Sequence, residues 1–309
     1  MNTRPHVNLR SHALLSTLLV VAAGQLAGCS PAADDAASAT QTETAVPAEV
    51  ASAASSDTNT LEEQIEAADF EGSMQQLMVM VGSDAISILA GSNDLDAILA
   101  LPPERVIEAV NNGEVEAIMV ERSTVEIDGP MARIQTKGQA QYTIIDGEQV
   151  AAYVVDPDNT MIMTMDAARM AAARVESGDS IQIDAKQVGE RSIRGFDTTG
   201  YRFDFIGDNI ATVWLSEDLE STVGPIFDIM AAVSPFGPME VGNGAPVRSV
   251  MVNRETLAKG RGFMPAYTIT EFYDLQPGAI ADGRFDLPEG YQRQSMDDLR
   301  RAASAAPGQ

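Results

Sequence analysis

"YTIIDGEQVAAYVVDPDNTMIMTM", residues 142–165, consists of apolar runs cut by two turn signals. Asp146-Gly147 suits the positive φ angles of a tight hairpin turn, and Asp156-Pro157-Asp158-Asn159 is built of turn formers. In the last run Met161, Met163 and Met165 recur at every second position, with Ile162 and Thr164 between them, which is the period of a strand. The stretch therefore predicts an antiparallel meander, and the pattern extends both ways. Strands are expected over 115–127, 131–145, 149–155 and 160–165, the first two turning at Asp128-Gly129. A helix is predicted from an Asp166 cap to about Glu176, closed by Gly178. Strands near 180–185, 188–194, 199–206 and 209–216 follow, and there Tyr201, Phe203 and Phe205 alternate with Arg202 and Asp204. A helix with Val223, Ile226, Phe227 and Met230 on one side precedes two last strands near 246–252 and 264–276.

Upstream of the meander the period is helical. Thr60-Leu61-Glu62-Glu63 has the form of a capping box, and Met74, Leu77, Met78 and Val81 fall at i, i+3, i+4 and i+7. A second helix is predicted from Asp94 to Leu101 with Leu95, Ile98 and Leu99 inward, broken by Pro102-Pro103. A third carries Val106, Ile107 and Val110 and ends near Gly113. About ten strands with inserted helices make one α+β domain over residues 60–295, followed by a polar tail, 296–309.

The first 28 residues read as an export leader, with Arg4 and Arg10 in front of an apolar stretch from Ala13 to about Ala23. That stretch is shorter than the ~20 residues a membrane span needs. Leu26, Ala27, Gly28 and Cys29 resemble the lipobox of bacterial lipoproteins, which implies cleavage before Cys29 and acylation of its thiol. At about 0.8 kcal/mol per buried methylene, several chains anchor a protein permanently. Ser30 in place of an aspartate resembles the outer-membrane sorting pattern. Residues 29–59 hold Ala, Ser, Thr, Asp and Glu with no basic or aromatic residue, the composition of a disordered tether. Such a linker spans about 30 Å on average.

Composition excludes several function classes. His6 and His12 lie in the leader, and Cys29 is the one cysteine. The mature chain therefore has no Ser–His–Asp triad, no Cys–His nucleophile and no thiolate or imidazole zinc site. The chain has 45 acids against 20 bases, a net charge of −25, and two of those bases go with the leader. Nucleic acid is excluded as a partner, since its phosphates demand cations, and anionic lipid head groups are repelled. With Lys137, Lys186 and Lys259 the only lysines and no Ser-x-x-Lys, no catalytic residue is indicated, and among so many acids neighbouring carboxylates arise by chance.

The order of elements, the terminal segment Phe285-Asp286-Leu287-Pro288-Glu289-Gly290-Tyr291 and the Gly189…Gly200-Tyr201 strand pair are similar to bacterial envelope proteins of the lipoprotein-carrier type, the LolA/LolB-like fold. The resemblance implies an antiparallel open half-barrel with helices packed in its concave face, preceded by N-terminal helices, that can hold acyl chains. The carriers' own functional residues have no match here.

The expected function is therefore binding by a lipid-anchored, periplasm-facing outer-membrane protein, without enzymatic activity or cofactor. The ligand is a lipid, an acyl-bearing molecule or an apolar segment of an envelope protein. Its lining is assigned to Met161, Met163, Met165, Val223, Phe227 and Met230, because methionine adapts to variable apolar shapes. A structural or adaptor lipoprotein with a filled core is the alternative. A Cu(I) site on the three strand methionines is weaker, since same-face positions on one strand lie ~6.5 to 7 Å apart. "DPDNTM" (156–161) lacks the glycine and distal glutamate of a calcium loop, so no metal site is assigned. Trp214 shares a face with Thr212 and Ser216, opposite Val213 and Leu215, and is expected to cap the barrel edge rather than a pocket mouth.

Overall fold

The structure is a computed structural model that describes residues 70–149, 151–166, 183–205, 208–233, 241–260, 264–295 and 298. The leader, Cys29, the tether, the capping box at 60–63, the helix expected after Asp166 and most of the tail lie outside the described residues.

Twelve strands form one open sheet. They are β1 (Glu71–Val81), β2 (Ala117–Asp128), β3 (Met131–Thr136), β4 (Tyr142–Asp146), β5 (Ala151–Asp156), β6 (Met161–Asp166), β7 (Lys186–Ile193), β8 (Phe196–Phe205), β9 (Asn209–Ser216), β10 (Ala245–Asn253), β11 (Tyr267–Pro277) and β12 (Gln292–Ser295). The helices are α1 (Ser83–Ala90), α2 (Leu95–Ala100), α3 (Pro103–Asn111), α4 (Glu217–Val233) and α5 (Arg254–Lys259). The strand order β12-β6-β5-β4-β3-β2-β1-β11-β10-β9-β8-β7 places β1 and β11 in the middle and leaves β12 and β7 as unjoined edges. This is the expected α+β half-barrel architecture.

The meander forms where its turn chemistry directs. Gly129 has φ 53°, and Asp156 Oδ1 accepts from the amides of Asp158 and Asn159, holding the turn between β5 and β6. Asp94 caps α2 by accepting from the amides of Asp96 and Ala97, and Pro103 opens α3.

Several expectations are corrected. The run containing Met74, Leu77, Met78 and Val81 is strand β1, paired antiparallel with both β2 and β11. A central strand covered on both faces buries consecutive residues, which erases the period of two and lets a helical spacing appear by coincidence. Among the described residues, the second and third predicted helices come after the first strand: α1–α3 are inserted between β1 and β2. The single strand expected over 131–145 is two, β3 and β4, because Gly138 (φ 83°) turns the chain between them. Ile183–Ala185 adds no strand before β7. The last strand, β12, pairs with β6 in parallel, so the sheet is not wholly antiparallel.

The sheet is covered on both faces. On one, α4 packs over side chains of β1 to β6, β10 and β11 in the largest apolar cluster. On the other, α1, α2 and α3 cover Leu77, Val79 and Val81 of β1 with Val250, Val252, Tyr267 and Ile269 of β10 and β11. Alternation along β1 sends Met74 to the first face and Leu77 to the second. The terminal motif closes one end of the sheet. Its Leu287 and Tyr291 pack against Ile144, Tyr153, Val155 and Ile162, and the chain then adds β12 to the edge.

Candidate functional site

The α4 face gathers most of the residues assigned from sequence to an apolar lining. Met163 and Met165 alternate inward from β6 and Val223, Phe227 and Met230 descend from α4, all buried in one cluster with Met74, Val125, Ile134, Val154 and Phe272. Phe227 meets Phe272 edge-on with ring centres 5.0 Å apart. Met161 is not among them: it stays half-exposed at the start of β6, opposite Asp156 and Gln292. The three strand methionines thus occupy two environments, a packing arrangement rather than a shared thioether site. Among the described residues this face is filled by its own side chains.

Two features of this face depart from ordinary core filling. The covering helix carries Gly224-Pro225 in its interior. Proline supplies no N–H to the preceding turn, and the pair is unfavourable in a helix by about 1 and 3 kcal/mol respectively. The second feature lies on the central strands. Gln76, Met78 and Met80 of β1 and Thr268 and Thr270 of β11 are all buried, and neither amide atom of Gln76 nor Thr270 Oγ1 has a hydrogen-bond partner.

The opposite face holds a charged cluster that was not anticipated. Register places Gly189, Gly200, Trp214, Arg248 and Glu271 in one row across β7 to β11. Glu271 is 0% exposed, and its Oε1 accepts from Arg248 Nη2 at 3.0 Å and from Arg194 Nε at 2.7 Å. Arg248 also pairs with Glu104 of α3. Arg194 sits at φ 55° in the β7–β8 turn, so the cluster clamps that hairpin and α3 onto the central strands. Burial by itself would raise the Glu104 carboxyl. The hydrogen bond from Arg248, aided by a backbone hydrogen bond and the charges of Arg248 and Arg191, leaves it below the ordinary carboxylate value. Burial pushes the Tyr267 hydroxyl far above its usual value. A cleft of about 460 Å³ opens here between Glu104, Asn111, Arg194 and Glu271, and a second of about 640 Å³ between Glu190, Asp197, Thr199 and Asp218. Both are polar. The signal for this cluster in the chain is a lone arginine and a lone glutamate in the middle of apolar strands, "APVRSVMVN" and "YTITEFY". Pairing them needs the β10–β11 register.

Trp214 stands in this row by register, also packs against the α4 cluster and, contrary to expectation, caps no edge: β9 lies between β8 and β10. Its ring covers Gly200, and the Arg191 guanidinium stacks 3.9 Å from the ring centre. Val213 and Leu215 point the other way, into a cluster with Phe203.

Among the described residues no group of three or more His, Cys, Asp or Glu is placed to hold a metal, and no helix is long and apolar enough to cross a membrane.

No family model and no curated protein matches this chain. Solved structures similar to it include an uncharacterized conserved protein from Thermus thermophilus, 8% identical over 78% of this chain and 99% of that one, with a TM-score of 0.35. Another is a LolA superfamily protein from Nitrosomonas europaea, 11% identical over 74% and 97%, TM-score 0.28. A third is from the Pseudomonas aeruginosa MucA/MucB complex, 13% identical over 77% of this chain and 63% of that one, TM-score 0.31. LolA-type structures are thus among the neighbours of this chain.

Proposed function

We propose that this protein is an acyl-anchored envelope protein that binds a lipid, or another acyl-bearing or apolar ligand, against the α4-covered face of its half-barrel. The observation that carries this reading is the construction of that face: a methionine-bearing wall (Met74, Met163, Met165) closed by one helix whose interior holds Gly224-Pro225. Methionine repacks at low cost around different shapes, and a helix lacking an internal hydrogen bond is the easiest cover to displace. An acyl chain taking the place of Val223, Phe227 and Met230 keeps the wall out of water, at about 25 cal/mol per Å² of apolar surface. The role is binding rather than catalysis, since the mature chain lacks imidazole and free thiol and no catalytic constellation is indicated.

In this reading Cys29 carries the anchor, residues 29–59 let the domain range above an outer membrane facing the periplasm, and the acidic surface keeps it off anionic head groups. The completeness of the α4 packing supports a second reading, an adaptor lipoprotein whose core stays closed and which meets an envelope protein through its surface.

Native mass spectrometry of the mature Cys29→Ser chain, purified without detergent, separates the two. An adduct of lipid mass that is reduced by Met163→Trp, in a variant whose far-UV spectrum is unchanged, supports the carrier. An unliganded mass before and after incubation with lipid vesicles favours the adaptor.

A further inference from the structure

We propose that Gln76 and Thr270 form a polar anchor for a neutral ester or amide head group carried on the bound acyl chain. This assignment rests on the acyl-binding reading above. Gln76 stands opposite Phe272 on β11 and Ser123 on β2, and Thr270 stands opposite Met78 on β1. The two polar side chains are therefore diagonal neighbours on one face of the two central strands, ~5 to 8 Å apart at their bases. That face is the one α4 covers, for Phe272 beside Gln76 is the ring that Phe227 touches.

Gln76 is 2% exposed and Thr270 1%, yet neither oxygen nor nitrogen of the amide, nor the hydroxyl, is hydrogen-bonded. Of the polar side chains directly opposite, Ser123 beside Gln76 is bonded to Thr136, and Ser249 beside Thr270 has a partner of its own. An unmet buried donor or acceptor costs about 1–3 kcal/mol, and methionine and valine would fill the same volumes without that cost. The presence of glutamine and threonine at the centre of the sheet is accounted for when a ligand completes them. The amide offers a donor and an acceptor and the hydroxyl offers either, which matches an ester carbonyl, an amide or a hydroxyl. Glu121, opposite Met78 on the same face, has its carboxyl raised by burial. A free carboxylate would face that acid without a cation, so the site selects neutral head groups over fatty-acid anions.

The test uses the mature Cys29→Ser chain and its Gln76→Met, Thr270→Val double variant. Binding of 1-monoolein, oleate and the apolar dye N-phenylnaphthylamine is measured together with thermal melting. The expected result is a wild-type protein that prefers monoolein to oleate, and a variant that melts higher, binds the dye within about twofold of wild type and loses roughly tenfold or more in monoolein affinity, as loss of a buried polar pairing implies. A variant that binds monoolein unchanged overturns the anchor while leaving the acyl-binding reading intact. A variant that melts lower and loses dye and monoolein together also overturns the anchor, since the two groups are then structural. A wild-type protein that binds neither dye nor monoolein overturns both.

Discussion

At the scale of the residue, Trp214 and Gly200 are a matched pair. A Cβ on Gly200 would stand 2.6 Å from the indole ring, so Gly200→Ala must move the ring off the strand and away from Arg191. The expected loss is about 1–3 kcal/mol, with a shift in emission that reports this site alone because the chain has a single tryptophan. Glu271 is the second such position. Glu271→Gln leaves the buried Arg248 guanidinium with only the half-exposed Glu104 as counter-charge, and a loss of about 3 kcal/mol in urea unfolding is expected. Replacing both partners, Glu271→Leu with Arg248→Met, should cost less than Glu271→Gln alone, because no uncompensated buried charge remains.

At the scale of the element, local chemistry is legible wherever it acts within a few residues. Asp128-Gly129 and Asp156 set turns where the sequence pattern puts them, and Asp94 and Pro103 act just as locally, one capping α2 and the other opening α3. β1 carries a misleading helical spacing because its order is imposed from both sides by α4 and by α1–α3, so that apolar residues fill both faces of the strand. The parallel addition of β12 is not legible either, since four polar residues carry no strand signal until β6 offers an open edge. The prediction at this scale concerns α4. Pro225→Ala restores a backbone donor to the helix interior and should raise stability by up to about 3 kcal/mol. Under the acyl-binding reading it should also slow uptake of an apolar dye in stopped-flow fluorescence; unchanged uptake with raised stability would show that α4 is not the moving cover.

At the scale of the whole molecule, charge and pH act together. Glu104 has a folded value below the ordinary 4.5, so the stability it contributes is fully present above 4.5 and is lost as pH falls through that lowered value. Glu104→Gln should therefore destabilise the protein at neutral pH, with the difference between variant and wild type shrinking below pH 4.5, as read from paired urea midpoints. Comparing the two chains at each pH cancels the general relief of acidic self-repulsion, which both share. The sequence by itself determined the apolar N-terminal stretch and the Leu26-Ala27-Gly28-Cys29 pattern, the confinement of its histidines to positions 6 and 12 and of its one cysteine to position 29, the acidic balance, the hairpin turns and the α4 residues Val223, Phe227 and Met230. Each of these is covalent, compositional or local. Only the tertiary structure decided that β1 is a central strand, that Met161 stands apart from Met163 and Met165, that Arg194, Arg248 and Glu271 meet, and that Gln76 and Thr270 are buried without partners. Those facts depend on which strands lie side by side and on what covers them, and contacts between residues as distant along the chain as Gly72 and Pro277 leave no period in it.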